Sequence, residues 1–269
     1  MAKKRLDVLL VERGSADSRQ KAQAMIMAGQ IYAGERRCDK AGQMLDEETV
    51  LEVRGQTMPY VSRGGLKLEK AMKVFPITLK DKVAADIGAS TGGFTDCMLK
   101  NGASKVYAVD VGYGQLAWVI RSDPRVVCLE RTNARYLTRE QVPEPLDFAS
   151  VDVSFISLGL ILPALRPLLK DGGEAVTLVK PQFEAGREKV GKKGVVRDPD
   201  VHREVLEQFF RQVEQSGFSV RGLDFSPIRG PEGNIEYLGY LRVGPGENRA
   251  YDLKELVRLS HETLKGEGQ

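Results

Sequence analysis

The sequence predicts an α/β chain, a doubly wound sheet preceded by a small α+β module. Three observations carry that expectation. From Asp81 onward, short apolar runs alternate with helical stretches, the pattern of a parallel sheet with crossover helices. The first run, Val83-Ala84-Ala85, ends in a glycine-rich strand-to-helix turn that reads Asp86-Ile-Gly-Ala-Ser-Thr-Gly-Gly-Phe-Thr95. The second run, Val106 to Val109, ends at Asp110, 22 residues after Gly88, where such folds place the carboxylate that holds a nucleoside ribose.

The totals bound the reading. A chain of 269 residues accommodates one sizeable core and a small module, and 42% hydrophobic with 29% charged residues is a globular composition. The net charge of +3 is too small to demand a polyanionic partner, so charge distribution must carry that case. Cys38, Cys97 and Cys128 are far apart and joined only by His202 and His261, which suggests neither a disulfide framework nor a metal site and fits a reducing, cytoplasmic setting. The start lacks an apolar signal core. The longest greasy stretch, Leu158 to Leu169, is broken by Pro163, Arg166 and Pro167, so no membrane span is expected.

Residues 1–57 read as a unit of their own. Leu6, Val8, Leu9 and Leu10 suggest a helix stopped by Gly14, and Ser18 is placed to cap a second helix carrying Ala22, Met25 and Ile26. Ile31 to Ala33 and Thr49 to Val53 read as strands. Through Lys40 there are nine Lys or Arg against five Asp or Glu, a face suited either to phosphates or simply to solvent. Residues 58–65 read as a linker stiffened by Pro59, and residues 66–269 as the larger domain, opening with a helix from Leu66 to Val74 that bears Lys67.

The glycine spacing narrows the ligand of the turn. A dinucleotide fingerprint reads Gly-x-Gly-x-x-Gly, whereas Gly88 stands apart from the adjacent Gly92 and Gly93, so no pyrophosphate site is implied. Asp86 adds a carboxylate that favours a cationic ligand. S-adenosylmethionine, with an α-amino group, a sulfonium and an adenosine ribose, satisfies both features. Its contacts are expected from Asp86, Gly88, Ser90, Thr91, Gly92, Gly93, Phe94, Thr95 and Asp110, with Asn133 reaching an adenine edge.

Beyond Asp110 the expected order is a helix around Gln115 to Arg121, a strand at Val126 to Leu129, and a fourth strand from Phe148 that runs through Asp152 to Phe155. A fifth strand, Ala175 to Val179, ends at Lys180, and the segment from Glu184 to Val196 reads as a basic loop with Lys189, Lys192 and Lys193. A helix near Asp200 to Gln215 and strands at Val220 to Phe225 and Ile235 to Arg242 follow, with Glu236 at the start of the last. Asp152 and Lys180 thus fall on the rim where doubly wound sheets bind ligands.

Two resemblances sharpen this. Arg5-Leu6-Asp7, Ser18-Arg19 with Ala22, and Gln30-Ile31 with Gly34 resemble the RNA-binding domain first recognised in a small-subunit ribosomal protein. That resemblance implies RNA contacts from Arg5, Arg19, Lys21 and Arg36. Lys67, Asp152, Lys180 and Glu236 resemble the catalytic Lys-Asp-Lys-Glu set of 2′-O-ribose methyltransferases related to FtsJ, whose cofactor turn is similar to Asp86 to Phe94. With Val61-Ser-Arg-Gly-Gly-Leu-Lys67, Lys180-Pro-Gln-Phe-Glu184 and Asn234-Ile-Glu-Tyr237, the whole resembles the TlyA family, also named as hemolysins. The resemblance implies S-adenosylmethionine-dependent methylation of a cytidine ribose in ribosomal RNA, a Rossmann-like methyltransferase sheet and ribosomal subunits as partners. RNA contacts are further expected from Arg63 and, where the basic loop is a lid over a polyanionic substrate rather than an inert surface loop, from Lys189, Lys192 and Lys193. A membrane-lytic protein and a non-catalytic ribosome-binding factor are the competing expectations.

Overall fold

The structure, a computed structural model, describes residues 3–27, 29–54, 58–246 and 250–266. The chain divides into two compact units, Met1–Pro59 and Tyr60–Gln269. The expected module boundary at position 57 lies outside the described residues. Tyr60 to Gly65, expected as linker, belong to the second unit. The cause is local: Val61 N–H donates to Asp96 Oδ2 at 2.9 Å, and a Cβ on Gly65 would strike the Tyr60 ring at 2.3 Å.

In the first unit the elements run β1 (Lys3–Arg5), α1 (Leu6–Glu12), α2 (Arg19–Met27), β2 (Ile31–Ala33), β3 (Arg36–Arg37), β4 (Met44–Asp46) and β5 (Leu51–Val53). Ser18 caps α2, its Oγ accepting from Lys21 N–H at 3.2 Å. Leu6 and Leu10 from α1 and Ala22, Met25 and Ile26 from α2 bury against Ile31 and Cys38 in one apolar cluster. Each of the Leu, Ile and Met side chains contributes on the order of 1.5–3 kcal/mol on leaving water. The three strands β3-β2-β5 form one antiparallel sheet, while β1 pairs with β4. That second pairing escapes sequence reading, because Lys3-Lys4-Arg5 shows no apolar alternation.

The second unit continues with α3 (Gly64–Val74), β6 (Val83–Ile87), α4 (Gly93–Lys100), β7 (Lys105–Val109), α5 (Trp118–Arg121), β8 (Val126–Leu129), β9 (Leu146–Val151), α6 (Leu158–Leu165), β10 (Leu169–Val179), α7 (Pro181–Glu184), α8 (Pro199–Gln215), β11 (Phe218–Phe225), β12 (Tyr237–Val243) and α9 (Leu253–Thr263). The sheet order is β11-β12-β10-β9-β6-β7-β8, with β12 antiparallel to both its neighbours. Both faces are covered. Ala85, Ile87, Val109 and Val151 pack toward Leu162, Leu206 and Phe209, whereas Ala84, Val106, Phe148 and Val176 pack toward Leu68, Met98 and Ile120.

The chain moves outward from β6 through β7 to β8, then returns to the other side of β6 as β9 and β10. A crevice therefore opens at the carboxyl ends of β6 and β9. The register pairs Asp86 with Ser150 and Ile87 with Val151, which sets Gly88 and Asp152 beside each other at its mouth.

Candidate functional site

Gly88 leaves β6 with φ +86°, and a Cβ there would lie 2.4 Å from the Asp152 carbonyl oxygen. Only glycine lets the two strand ends meet this closely. Asp86 is fully buried below the turn, accepting from Thr95 N–H at 2.9 Å, Thr95 Oγ1 at 2.7 Å and Ser150 Oγ at 2.8 Å. Thr95 is thus committed to Asp86 rather than to a ligand, and Gly92 is bare because Leu116 Cδ1 would lie 2.8 Å from its Cβ. Of the residues expected around the cofactor, Gly92 and Thr95 are not among those that line the two cavities at this turn.

Burial raises the Asp86 carboxyl to about 6, against the hydrogen bonds from Thr95 and Ser150 that favour its ionised form. Its native pKa exceeds its ordinary value of 3.8, so its contribution to stability is full below that value and is lost as pH rises through 6. Ionisation at neutral pH costs about 3 kcal/mol on this basis. Asp86→Asn is therefore expected to stabilise the protein at pH 7 by about 1–3 kcal/mol and hardly at all at pH 4, read by calorimetry at both values. An equal gain at the two pH values would contradict this.

Asp110, at the end of β7, accepts from Ser90 N–H at 2.8 Å and Gly112 N–H at 2.7 Å, one on each oxygen, which leaves each a further lone pair. Asn133 caps the short helical turn Ala134–Tyr136 through its Oδ1, with Arg135 N–H at 3.1 Å. Two cavities meet at Gly88, Ser90 and Asp152. One, of about 430 Å³, is walled by Asp110, Gln115, Asn133 and Asp152, and the other, of about 470 Å³, by Arg63, Lys67, Asp86, Thr91, Gly93 and Phe94.

The four residues that resemble the catalytic set come together here. Lys67, one turn into α3, donates to Glu236 at 2.7 Å and to Asp152 Oδ2 at 3.5 Å. Lys180, just past β10, pairs with Asp152 Oδ1 at 2.5 Å and donates to Ser154 Oγ at 3.2 Å. Both lysines and Glu236 are buried. Burial alone depresses the Lys67 ammonium, but Asp152 and Glu236 outweigh it and hold its pKa above the ordinary lysine value. Glu236 Oε1 has no partner among the described residues, and a Cβ on Gly230 would lie 2.3 Å from it.

A third cavity, of about 750 Å³, opens beyond Lys180 and Glu236 and is lined by Ser154, Phe155, Gln182, Phe183 and Arg187 among others. Phe155 is 90% exposed, sits at φ +63° and lies 4.9 Å from the Phe183 ring. A non-glycine residue held there stores backbone strain, which clusters at functional sites. β9 ends at Val151, so the expected strand through Phe155 stops four residues early. The loop that borders this cavity is clamped by Asn234, which accepts from Val196 N–H at 3.1 Å and donates to the Gly194 carbonyl at 2.9 Å.

The expected RNA contacts are distributed. Arg5 Nε and Arg19 Nη2 both bond Asp7, each at 3.0 Å, with Gln23 on the same carboxylate, while each arginine keeps about half its side chain in solvent. The hydrogen bond from Arg5, against burial and with help from Gln23 and Arg19, holds the Asp7 carboxyl well below the usual carboxylate range. Stabilisation from Asp7 is present above its ordinary 3.8 and is lost as pH falls toward the native value. Asp7→Ala is expected to cost the first unit about 1–3 kcal/mol, seen as faster hydrogen exchange at the α1 amides of the full chain. Unchanged exchange would contradict this.

Lys21 pairs with Asp17 at 2.7 Å and Lys189 with Glu204, while Arg36, Arg63, Lys192 and Lys193 are exposed. At the rim of the second unit, exposed Tyr113 and Tyr136 lie beneath Arg131 and Arg135, at 4.3 and 5.6 Å from guanidinium carbon to ring centre. This aromatic and cationic surface has no counterpart in the sequence reading. No group of His, Cys, Asp and Glu among the described residues is arranged to hold a metal ion, and no described helix is long and apolar enough to cross a membrane.

Comparison with known proteins gives a consistent result. Residues 60–243 match the FtsJ-like methyltransferase family, and residues 4–51 match the S4 domain. YqxC of Bacillus subtilis is 55% identical over 98% of this chain and 96% of its own length. The 16S/23S rRNA (cytidine-2′-O)-methyltransferase TlyA of Mycobacterium tuberculosis is 42% identical over 97% of each protein. A solved structure from Streptococcus thermophilus, which carries the hemolysin name, is 48% identical and superposes with a TM-score of 0.79 over 99% of this chain and 98% of that one.

Proposed function

The chain belongs to the FtsJ-like methyltransferases and, by full-length identity, to the TlyA family, and from that premise we propose that it methylates the 2′-hydroxyl of cytidine in ribosomal RNA, with S-adenosylmethionine as donor. The observation that carries this is the Asp152 carboxylate. It holds Lys180 on one oxygen and Lys67 on the other, directly beside the bare backbone of Gly88.

The crevice fits the cofactor. Gly88 lines both cavities, Asp110 retains lone pairs for two ribose hydroxyls, and Asn133 lines the same cavity as Asp110. Asp86 fixes the turn through Thr95 and Ser150, and its Oδ1, which takes one bond, retains a lone pair in a residue that walls the cavity of about 470 Å³. When bound, S-adenosylmethionine supplies an electrophilic methyl group on a sulfonium centre.

The chain's own residues do the rest. Lys180, ion-paired at 2.5 Å, is placed to grip the ribose hydroxyl and steady the charge that develops on its oxygen, and Asp152 Oδ1 is the adjoining acceptor for the displaced proton. Lys67 stays charged and fixes Asp152 and Glu236 in place. Holding hydroxyl and methyl in line within a buried pocket supplies about 7–11 kcal/mol of the barrier. The first unit, with Arg5 and Arg19 splayed from Asp7, and the Tyr113, Arg131, Arg135 and Tyr136 surface would dock the RNA through phosphate contact and stacking. Such a protein works where ribosomes are, in the cytoplasm.

The test is transfer of labelled methyl groups from S-adenosylmethionine to isolated small subunits, large subunits and naked rRNA. Label is expected in at least one of the three, and none in any would overturn the proposal. The hemolysin name of the structural relative motivates a parallel assay of dye release from liposomes, where no release is expected.

A further inference from the structure

Two segments that border the third cavity are joined along their length. Asp152 to Ser157, between β9 and α6, form no helix or strand, and Lys180 leads directly into α7. Lys180 meets Asp152 Oδ1 at 2.5 Å and Ser154 Oγ at 3.2 Å, and the Phe183 ring lies 4.9 Å from that of Phe155. Glu184 closes the far end. Its Oε2 accepts from Ser157 Oγ at 2.7 Å and its Oε1 from Leu158 N–H at 2.8 Å, so one carboxylate binds the first amide of α6. A negative group there also suits the positive end of the α6 dipole. From α8, Gln212 Nε2 donates to Ser157 Oγ at 3.1 Å and to Glu184 Oε2 at 3.3 Å. Glu184 is not among the residues that line the three cavities of the site, so it acts on the reaction through what it holds.

We propose that Glu184 is a positioning residue for Lys180, a brace that fixes α7 against the start of α6 and so holds the ammonium between Asp152 and Ser154. This rests on the ribose-methylation reading above. The sheet fixes one end of the paired segments, with Ala175 to Thr177 of β10 in register with Ala149 to Val151 of β9. Glu184 fixes the other. Phe155, at φ +63°, lies between these two ends, and a residue strained in this way persists only where its surroundings hold it. Without Glu184 the loop relaxes, and Asp152 and Ser154 shift relative to Lys180. A displacement of about 1 Å at a reacting group costs on the order of 10²-fold in rate.

The experiment measures kcat and KM of methyl transfer by the full chain to the ribosomal substrate that the wild-type protein labels, with calorimetry of cofactor binding alongside. Glu184→Ala is expected to lower kcat about 10- to 100-fold, with KM and affinity for S-adenosylmethionine within about twofold of wild type. Glu184→Gln keeps an acceptor for Leu158 N–H and a donor for Ser157 Oγ, and is expected to retain kcat within about threefold. In the Lys180→Ala protein, adding Glu184→Ala is expected to cost less than about twofold, because the group it positions is gone. A helix cap and nothing more would lower the melting temperature and leave kcat of the folded protein unchanged. That result, or an equal loss in kcat with and without Lys180, overturns the assignment. Should Glu184→Ala fail to fold, Ser157→Ala removes one of the two links and is read in the same cycle, with the same outcomes deciding. A wild-type protein that labels no ribosomal substrate would instead overturn the function proposed above, so the two failures are distinguishable.

Discussion

Lys180→Ala is expected to lower kcat for methyl transfer about 10²- to 10⁴-fold while leaving affinity for S-adenosylmethionine unchanged. The expectation follows from what Lys180 touches. Its ammonium lies 2.5 Å from Asp152 Oδ1 and 3.2 Å from Ser154 Oγ, and it lines the substrate-side cavity rather than the cavity beneath Asp110. Its loss therefore spares cofactor contacts and removes the cation that meets the attacking oxygen. It does not erase all catalysis, because Gly88, Asp110 and the cavity walls still hold the reactants together. The measurement pairs single-turnover labelling with calorimetry of cofactor binding. A variant that keeps the wild-type rate would remove Lys180 from the mechanism, and one that fails to bind cofactor would make its role structural.

Gly88→Ala is expected to abolish cofactor binding and to unfold the second unit at a lower temperature. Two independent penalties meet at this position. The backbone stands at φ +86°, where an L side chain costs about 1–3 kcal/mol, and the new methyl lies 2.4 Å from the Asp152 carbonyl oxygen, where no flexible side-chain end can yield. Relief requires β6 and β9 to part at their carboxyl ends, and such overpacking typically costs a further 1–3 kcal/mol or so. Together these predict a fall in melting temperature of roughly 4–24 °C for a unit of this size, with Asp152 displaced from both lysines. Thermal melts with and without S-adenosylmethionine check this. A wild-type midpoint that still rises on adding cofactor would show that the crevice tolerates the methyl.

The main features of the site were legible because they obey a topological rule. Gly88, Asp110, Asp152 and Lys180 all follow the last residue of a parallel strand, and doubly wound sheets gather such positions on one rim regardless of their distance in sequence. Glu236 read as lying near the start of the final strand, and because β12 runs antiparallel to β10 that start meets the carboxyl end of β10, with Val179 opposite Tyr237. Lys67 carries no such signal: it lies on a helix, so only the family resemblance singled it out. What stayed hidden depends on which way a side chain turns within a loop. Thr95 and Gly92 read as ligand contacts, yet Thr95 closes on Asp86 and Gly92 makes room for Leu116. Phe155 read as the end of a strand, and only its φ of +63° turns it out into solvent. In the first unit the basic residues were legible, but Asp7 was not expected to be their organiser, because its burial depends on the packing of α1 against α2.

Nucleoside mass spectrometry of rRNA treated with the protein and S-adenosylmethionine tests ribose methylation most directly. The expected product is 2′-O-methylcytidine, at a level that rises with time and, with Lys180→Ala, rises about 10²- to 10⁴-fold more slowly. Methyl groups found on base nitrogens or carbons, with ribose unmodified, would contradict it.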